Sequence, residues 1–143
     1  MLERLEPFIG EWDLEPSFPT LPGARGRAVF EWALDRRFLV QRTEISVPEA
    51  PDSICLMGVD PRGGALAQHY FDTRGVIRVY AMTFEDGVWT LRREAPDFSD
   101  LSFWQRFIGT FSDDNTIAGR WDSSHDEGAT WEKDFDLVYR RIA

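Results

Sequence analysis

The side chains whose types could do chemistry are few in this sequence: two histidines, one cysteine and a set of polar residues placed among aromatic ones. Zinc takes three or four ligands, and no pair among His69, His125 and Cys55 has ligand spacing, so no metal site is assigned. A haem needs a single axial imidazole, which His69 or His125 would supply. No Gly-rich phosphate loop is present. What remains is the chemistry of polar groups on otherwise apolar rows, where burial is costly unless something bonds them. By alternation, Gln41 and Thr43 fall between Leu39 and Ile45, Gln105 between Phe103 and Phe107, and Lys133 between Trp131 and Phe135. Tyr80 shares a row with Val76, Met82 and Phe84, and His69 shares one with Ala65, Ala67 and Phe71. Gln41, His69, Tyr80, Gln105 and Lys133, with Trp32 and other aromatics packing around them, form a candidate small-molecule site. If the same interior hosted an enzyme, His69 or Lys133 would be its acid or base and a tyrosine its donor.

The segment 124–131, Ser-His-Asp-Glu-Gly-Ala-Thr-Trp, places Ser124, His125 and Asp126 side by side. Triad members meet through folding, in a geometry that consecutive residues rarely reach, so no catalytic residue is assigned. An EF-hand starting at Asp122 fails too, with Glu127 at the sixth position in place of Gly and Lys133 at the twelfth in place of Glu. The segment matches Ser-x-Asp-x-Gly-x-Thr-Trp and resembles the Asp box of bacterial sialidases and related propellers. In that family the Asp ties a hairpin and the Trp packs inside it. A single eight-residue copy is too little for a propeller. The resemblance implies a structural hairpin built on Asp126, Gly128 and Trp131.

Strands must position these groups. Leu2, Leu5 and Phe8 lie at helical spacing and Pro7 ends the run, so one short helical turn is expected over 1–6. From Gly10 the pattern changes to period two, with turn residues every eight to twelve positions. The expected strands are 11–15, 24–35, 38–47, 53–60, 65–72, 76–84, 88–94, 103–112, 116–123 and 130–140. Links such as Thr73-Arg74-Gly75, Glu85-Asp86-Gly87 and Ser112-Asp113-Asp114-Asn115 are short and turn-rich, so neighbours pair antiparallel in sequence order. A meander this long hides its edges by closing. The expected fold is all-β: a closed antiparallel up-and-down β-barrel of about ten strands, one domain over 1–143, with a short N-terminal helix. Trp12, Leu14, Phe30, Trp32, Leu34, Phe107, Phe111, Ile117, Trp121, Trp131, Phe135, Leu137 and Tyr139 are expected to face inward, and their charged neighbours water.

Composition agrees. Hydrophobic residues make up 43% of 143 residues, enough for one core, and six Trp and eleven Phe favour strands and cavity walls. The formal charge of -9 opposes contact with nucleic acid or an anionic membrane. Cys55 is the lone cysteine, in an apolar stretch, and is read as a small buried hydrophobe. The first residues lack a signal-peptide pattern, so a cytoplasmic protein is expected.

The opening Leu5-Glu6-Pro7-Phe8-Ile9-Gly10-Glu11-Trp12 resembles the start of calycins, in which Gly-x-Trp leads into the first strand. In lipocalins and fatty-acid-binding proteins that Trp closes the barrel floor beneath a basic residue from near the end. The resemblance implies structural roles for Gly10 and Trp12, with Arg140 or Arg141 as the closing group, and Arg140 is preferred. Glu31-Trp32, Arg37–Arg42, Tyr70–Val76, Gly119-Arg120-Trp121, Trp131 and Phe135 are similar to an uncharacterised group of lipocalin-like bacterial proteins. The nitrobindin branch of the calycins binds haem in a similar barrel. It opens Gly-x-Trp-x-Gly-x-Gly, whereas Asp13-Leu14-Glu15 follow Trp12 here, and no cofactor is assigned. The leading expectation is a binding protein for a small, largely apolar molecule. An enzyme acting inside the barrel, haem binding, and a filled barrel acting through its surface, as in a homodimer, are the alternatives.

Overall fold

Leu2, Leu5 and Phe8 are all buried, and this one-sided burial turns the first residues into a lid on the sheet that follows. The structure, a computed structural model, describes residues 2–94 and 103–143. The lid is a 3₁₀ helix, Leu2–Phe8, that runs through Pro7 and extends past the expected end; Met1 lies outside the described residues.

Ten strands follow: β1 (Gly10–Pro16), β2 (Gly26–Ala33), β3 (Phe38–Ile45), β4 (Ser53–Val59), β5 (Leu66–Asp72), β6 (Ile77–Glu85), β7 (Val88–Arg93), β8 (Trp104–Asp113), β9 (Thr116–Ser124) and β10 (Glu132–Arg141). Each pairs antiparallel with its sequence neighbours, and β1 pairs with β10, so the barrel is closed and up-and-down. Closure leaves no ladder edge exposed. Gly10 makes the seam possible. Its φ is +133°, and a Cβ there would lie 2.4 Å from the Ala143 carbonyl oxygen, which accepts the Glu11 N–H.

The helix covers one end, the floor; the other is the mouth. At the floor Phe8 packs against Phe30, Phe84, Trp89 and Phe111, with centroids 4.9–5.4 Å apart in tilted or edge-on pairs. Trp12, Leu39, Met57, Ile117 and Tyr139 complete a core that leaves each of them 3% exposed or less.

Alternation places most inward residues where expected, with four corrections. His69 is exposed, and Leu66, Gln68 and Tyr70 face inward instead. The register decides this, because directly opposed residues share a face: Gln68 stands opposite Met57 on one side and Tyr80 on the other, both buried. Lys133 is exposed because a bulge between Lys133 and Phe135 inserts an extra residue and reverses parity. Trp131 precedes β10 and lies on the outer surface, 4.2 Å from the Arg106 guanidinium. Leu34 is 72% exposed, in a left-handed turn with φ 50° that ends β2 before its row would have turned inward again.

Candidate functional site

Above the aromatic floor the barrel encloses a cavity of about 380 Å³. Its two walls differ in kind. On β3 and β4 the inward rows become smaller and more polar from the floor through Gln41 and Thr43 and through Cys55 and Ser53, and β5 and β6 add the polar Gln68 and Tyr80. On β7 to β10 the lining is largely apolar: Leu91, Phe107, Trp121, Phe135 and Leu137. Phe18, Ala50, Pro51 and Arg74, from loops at the mouth, complete the lining.

Three of the residues singled out in the sequence as orienting groups line this cavity. Gln41 is buried, and its Nε2 donates to the Tyr139 hydroxyl at 3.1 Å and to Thr43 Oγ1 at 3.2 Å. The Tyr80 hydroxyl donates to Gln105 Oε1 at 2.9 Å. The same oxygen accepts Arg93 Nε at 3.2 Å and Nη2 at 3.0 Å, so a cationic side chain only 3% exposed is held by a neutral amide. Burial pushes the Tyr139 and Tyr80 phenols above their ordinary range, so both are hydrogen-bonding groups and not anions near neutral pH. Burial likewise pushes the Cys55 thiol up to about 12, and as a protonated thiol it is a poor nucleophile.

The other candidates lie elsewhere. His69 points out from β5, and Lys133 lies on the surface with its Nζ 2.6 Å from Asp136 Oδ2. Neither is in the cavity lining, so the acid–base roles expected of them have no footing. Trp32 is at the floor, where its Nε1 donates to Glu6 Oε2 at 3.0 Å and Arg36 lies over its ring; it fastens the helix to the barrel and does not reach the cavity. A histidine-ligated haem has no axial ligand inside, because neither His69 nor His125 lines the cavity. His125 is exposed and stacks on Phe103, 5.7 Å between centroids. The residues present do not fit a histidine-ligated haem held in this cavity.

Sequence reasoning missed Gln68, Tyr70, Arg78, Trp89 and Asp134, all of which line the cavity. Gln68 and Trp89 are 3% and 1% exposed, and Gln68 Oε1 and Trp89 Nε1 are the buried side-chain polar atoms without a hydrogen-bond partner among the described residues. At the mouth the Tyr70 hydroxyl donates to Asp72 Oδ2 at 2.7 Å, and Arg74 holds the same carboxylate at 2.7 Å. Burial works against the Asp72 carboxylate, but bonds from Arg74 and Tyr70 outweigh it and hold its pKa below the usual range. Burial, with the Asp122 charge adding to it, raises the carboxyl of Asp134, the residue that the bulge turns toward the rim. The tight turn Thr73–Gly75 was the available signal. Counting back across it from Tyr80 puts Gln68 opposite Tyr80.

The structural residues separate in the same way. Arg141, and not Arg140, closes the floor. Its guanidinium lies 4.2 Å from the Trp12 ring and donates to the carbonyls of Ile9 at 2.6 Å, Pro7 at 2.5 Å and Asp114 at 3.1 Å. Arg140, one residue earlier, points outward to Glu15 at 3.1 Å. In the β9–β10 hairpin Asp126 accepts the Thr130 N–H and the Ser124 hydroxyl, each at 2.8 Å, and the Thr130 hydroxyl at 2.5 Å. Gly128 has φ 85° and donates its N–H to Ser124 Oγ at 2.9 Å, and a Cβ there would strike the Trp104 ring at 2.7 Å.

No protein-family model and no curated protein matches the chain. Among solved structures it is similar to the crystal structure of Rv2717c from M. tuberculosis, with a TM-score of 0.65 and 15% sequence identity over 99% of this chain and 97% of that one. At that identity the likeness shows a shared barrel fold.

Proposed function

We propose that this barrel binds one small, largely apolar molecule with a polar edge, held in the upper cavity against the aromatic wall. The observation that carries the reading is a pair of buried atoms with no partner among the described residues, Gln68 Oε1 and Trp89 Nε1, on residues lining the same cavity. A buried polar atom left unpaired costs about 1–3 kcal/mol, so a ligand or an ordered water that pairs it recovers that energy. The apolar wall supplies the non-directional part of binding, and Gln41, Tyr80 and Gln105, already bonded to protein groups, are held rigid at its side. The volume lies within the roughly 300–1,000 Å³ of small-molecule sites. Kinship with calycins belongs to the same proposal, supported by the Gly10–Trp12 opening and the Arg141 closure over Trp12.

The test is a thermal-shift and tryptophan-fluorescence screen with fatty acids, planar aromatics and steroids, since Trp89 and Trp121 line the cavity. One class is expected to raise the melting temperature and quench emission, with both effects reduced by Gln68→Leu. If every class leaves the melting temperature unmoved, the reading falls. A Soret band on mixing with haemin, lost in His125→Ala, would replace it with a different one.

A further inference from the structure

The outer surface of β4 to β6 departs from the rule that holds on the rest of the barrel. On β1 the outward residues are Glu11, Asp13 and Glu15, and on β2 Arg27 and Glu31 flank Val29. β4 has no charged residue, β5 has one carboxylate at its mouth end, and the charges of β6 are Arg78, which lines the cavity, and Glu85 at the strand's end. In a chain of net charge -9 this is a charge-free window.

Register arranges the window into three rows running across the strands. Ile54, Phe71 and Ile77 stand side by side toward the mouth, 45%, 38% and 38% exposed. Leu56, His69 and Val79 form the middle row, with Val79 48% exposed. Gly58, Ala67 and Ala81 form the row nearest the floor, with Phe38 lying over Gly58. A ridge of large side chains is thus separated by one row from a trough at Ala67 and Ala81, bounded by Phe38 on one side and Arg92 on the other.

We propose that this face is where a second copy of the chain docks. A two-fold axis along the middle row turns the strands of one copy antiparallel to the other's and sets each ridge over the opposite trough. That is the self-complementarity an isologous interface requires. It is also a packing of sheet on sheet, with side chains of the facing rows interleaved. The charge distribution favours a copy as the occupant: the acidic faces repel one another, whereas two such windows meet with no carboxylate, lysine or arginine at their centre. With a large apolar side chain taken as up to about 200 Å², Ile54, Phe71, Ile77 and Val79 together leave roughly 300 Å² bare, the size at which a patch on a single protein is often functional. This patch would form the apolar centre of a standard interface of about 800 Å² per partner, with Arg42, Glu44 and Arg92 at its rim.

Sedimentation of the full chain at about 100 µM, where even a modest interface of this class associates, is expected to give twice the chain mass. Phe71→Glu with Val79→Glu is expected to reduce it to the chain mass. Ala81→Arg, which fills the trough, is expected to do the same. Both substituted surfaces face outward, so unchanged tryptophan emission separates lost association from lost fold. Asp13→Lys, on the charged face, is expected to leave the dimer intact. A wild-type chain that sediments as one copy, or a Phe71→Glu/Val79→Glu chain that still pairs, overturns the proposal. So does a wild-type single copy that floats with neutral phosphatidylcholine vesicles, an outcome that would make the window a lipid-facing surface.

Discussion

Replacing Arg141 by Ala tests whether the barrel floor is closed as described, and the structure sets the size of the effect. The part-buried bond to the Ile9 carbonyl is a charge-assisted hydrogen bond, for which about 1.5 kcal/mol is the lower end of the measured range. The bonds to Pro7 and Asp114 are exposed, and about 0.5 kcal/mol each is appropriate. The guanidinium over the fully buried Trp12 ring adds about 1 kcal/mol. Together the loss is about 3.5 kcal/mol, which for a chain of this size lowers the melting temperature by roughly 10–14 °C. Arg140→Ala removes only a surface ion pair with Glu15 and is expected to cost about 0.5 kcal/mol. Urea unfolding followed by tryptophan emission measures both, read as a shift of midpoint at constant slope. Arg141→Lys retains the charge but not the planar fork, so it should fall between wild type and Arg141→Ala. Equal losses in Arg140→Ala and Arg141→Ala, or an Arg141→Ala midpoint indistinguishable from wild type, would refute the closure and with it the structural role of the Gly10–Trp12 opening.

Three further outcomes follow from the geometry. Gln68→Leu removes an unsatisfied buried oxygen, so it should leave the free protein unchanged or up to about 1 kcal/mol more stable in urea. A ligand that relies on the polar wall should bind it more weakly by calorimetry. Gly119→Ala should destabilise by about 1–3 kcal/mol, because the new Cβ would lie 2.6 Å from both the Leu137 carbonyl oxygen and the Phe107 ring; a neutral result would mean that Phe107 does not rest there. The Asp126 carboxyl is held at about 2 by hydrogen bonds from Thr130 and Ser124, below its unfolded value of 3.8, so its contribution is complete above about pH 4 and lost as pH falls through 2. Wild type should therefore exceed Asp126→Asn in urea midpoint at neutral pH and converge with it near pH 2.

Strand number, order and closure could be read before any coordinates because turn chemistry and period two are local. Residue 69 exposes the limit of such reading. In Leu66-Ala67-Gln68-His69-Tyr70-Phe71 both rows hold an apolar residue at each end, so alternation within the strand cannot choose between them. The neighbour chooses: Tyr80 and Met82 are buried, and the Thr73–Gly75 turn ties Gln68 and Leu66 to them. Lys133 failed for another reason. The bulge before Phe135 is a property of the β9–β10 pair, and no residue within 130–140 announces it. Arg140 and Arg141 were separable in principle, since Tyr139 faces inward and period two then sends Arg140 out and returns Arg141 to the floor.

Why the barrel is filled at one end and hollow at the other follows from the same rows. On β3 the inward sequence from the floor is Leu39, Gln41, Thr43, before Ile45 at the rim; on β4 it is Met57, Cys55, Ser53. On both strands, side-chain volume falls and polarity rises from the floor through the middle layers. At the floor the helix adds Phe8 to the centre, which Trp89, Phe30, Phe84 and Phe111 surround, so no space is left there. At the level of Gln41 and Gln68 no such plug enters among the described residues, and the facing rings of Phe107 and Trp121 do not reach across to fill the volume left by the smaller side chains. A barrel selected only for stability would place large apolar residues in that layer, since each buried methylene adds about 0.8 kcal/mol. Small and polar residues instead occupy one wall of this layer while its floor is packed with aromatics. That division is the physical reason to look for a ligand at the mouth end, and Thr43→Val tests it: Gln41 keeps its bond to the Tyr139 hydroxyl, so the free barrel should hold its stability while the site binds its occupant more weakly.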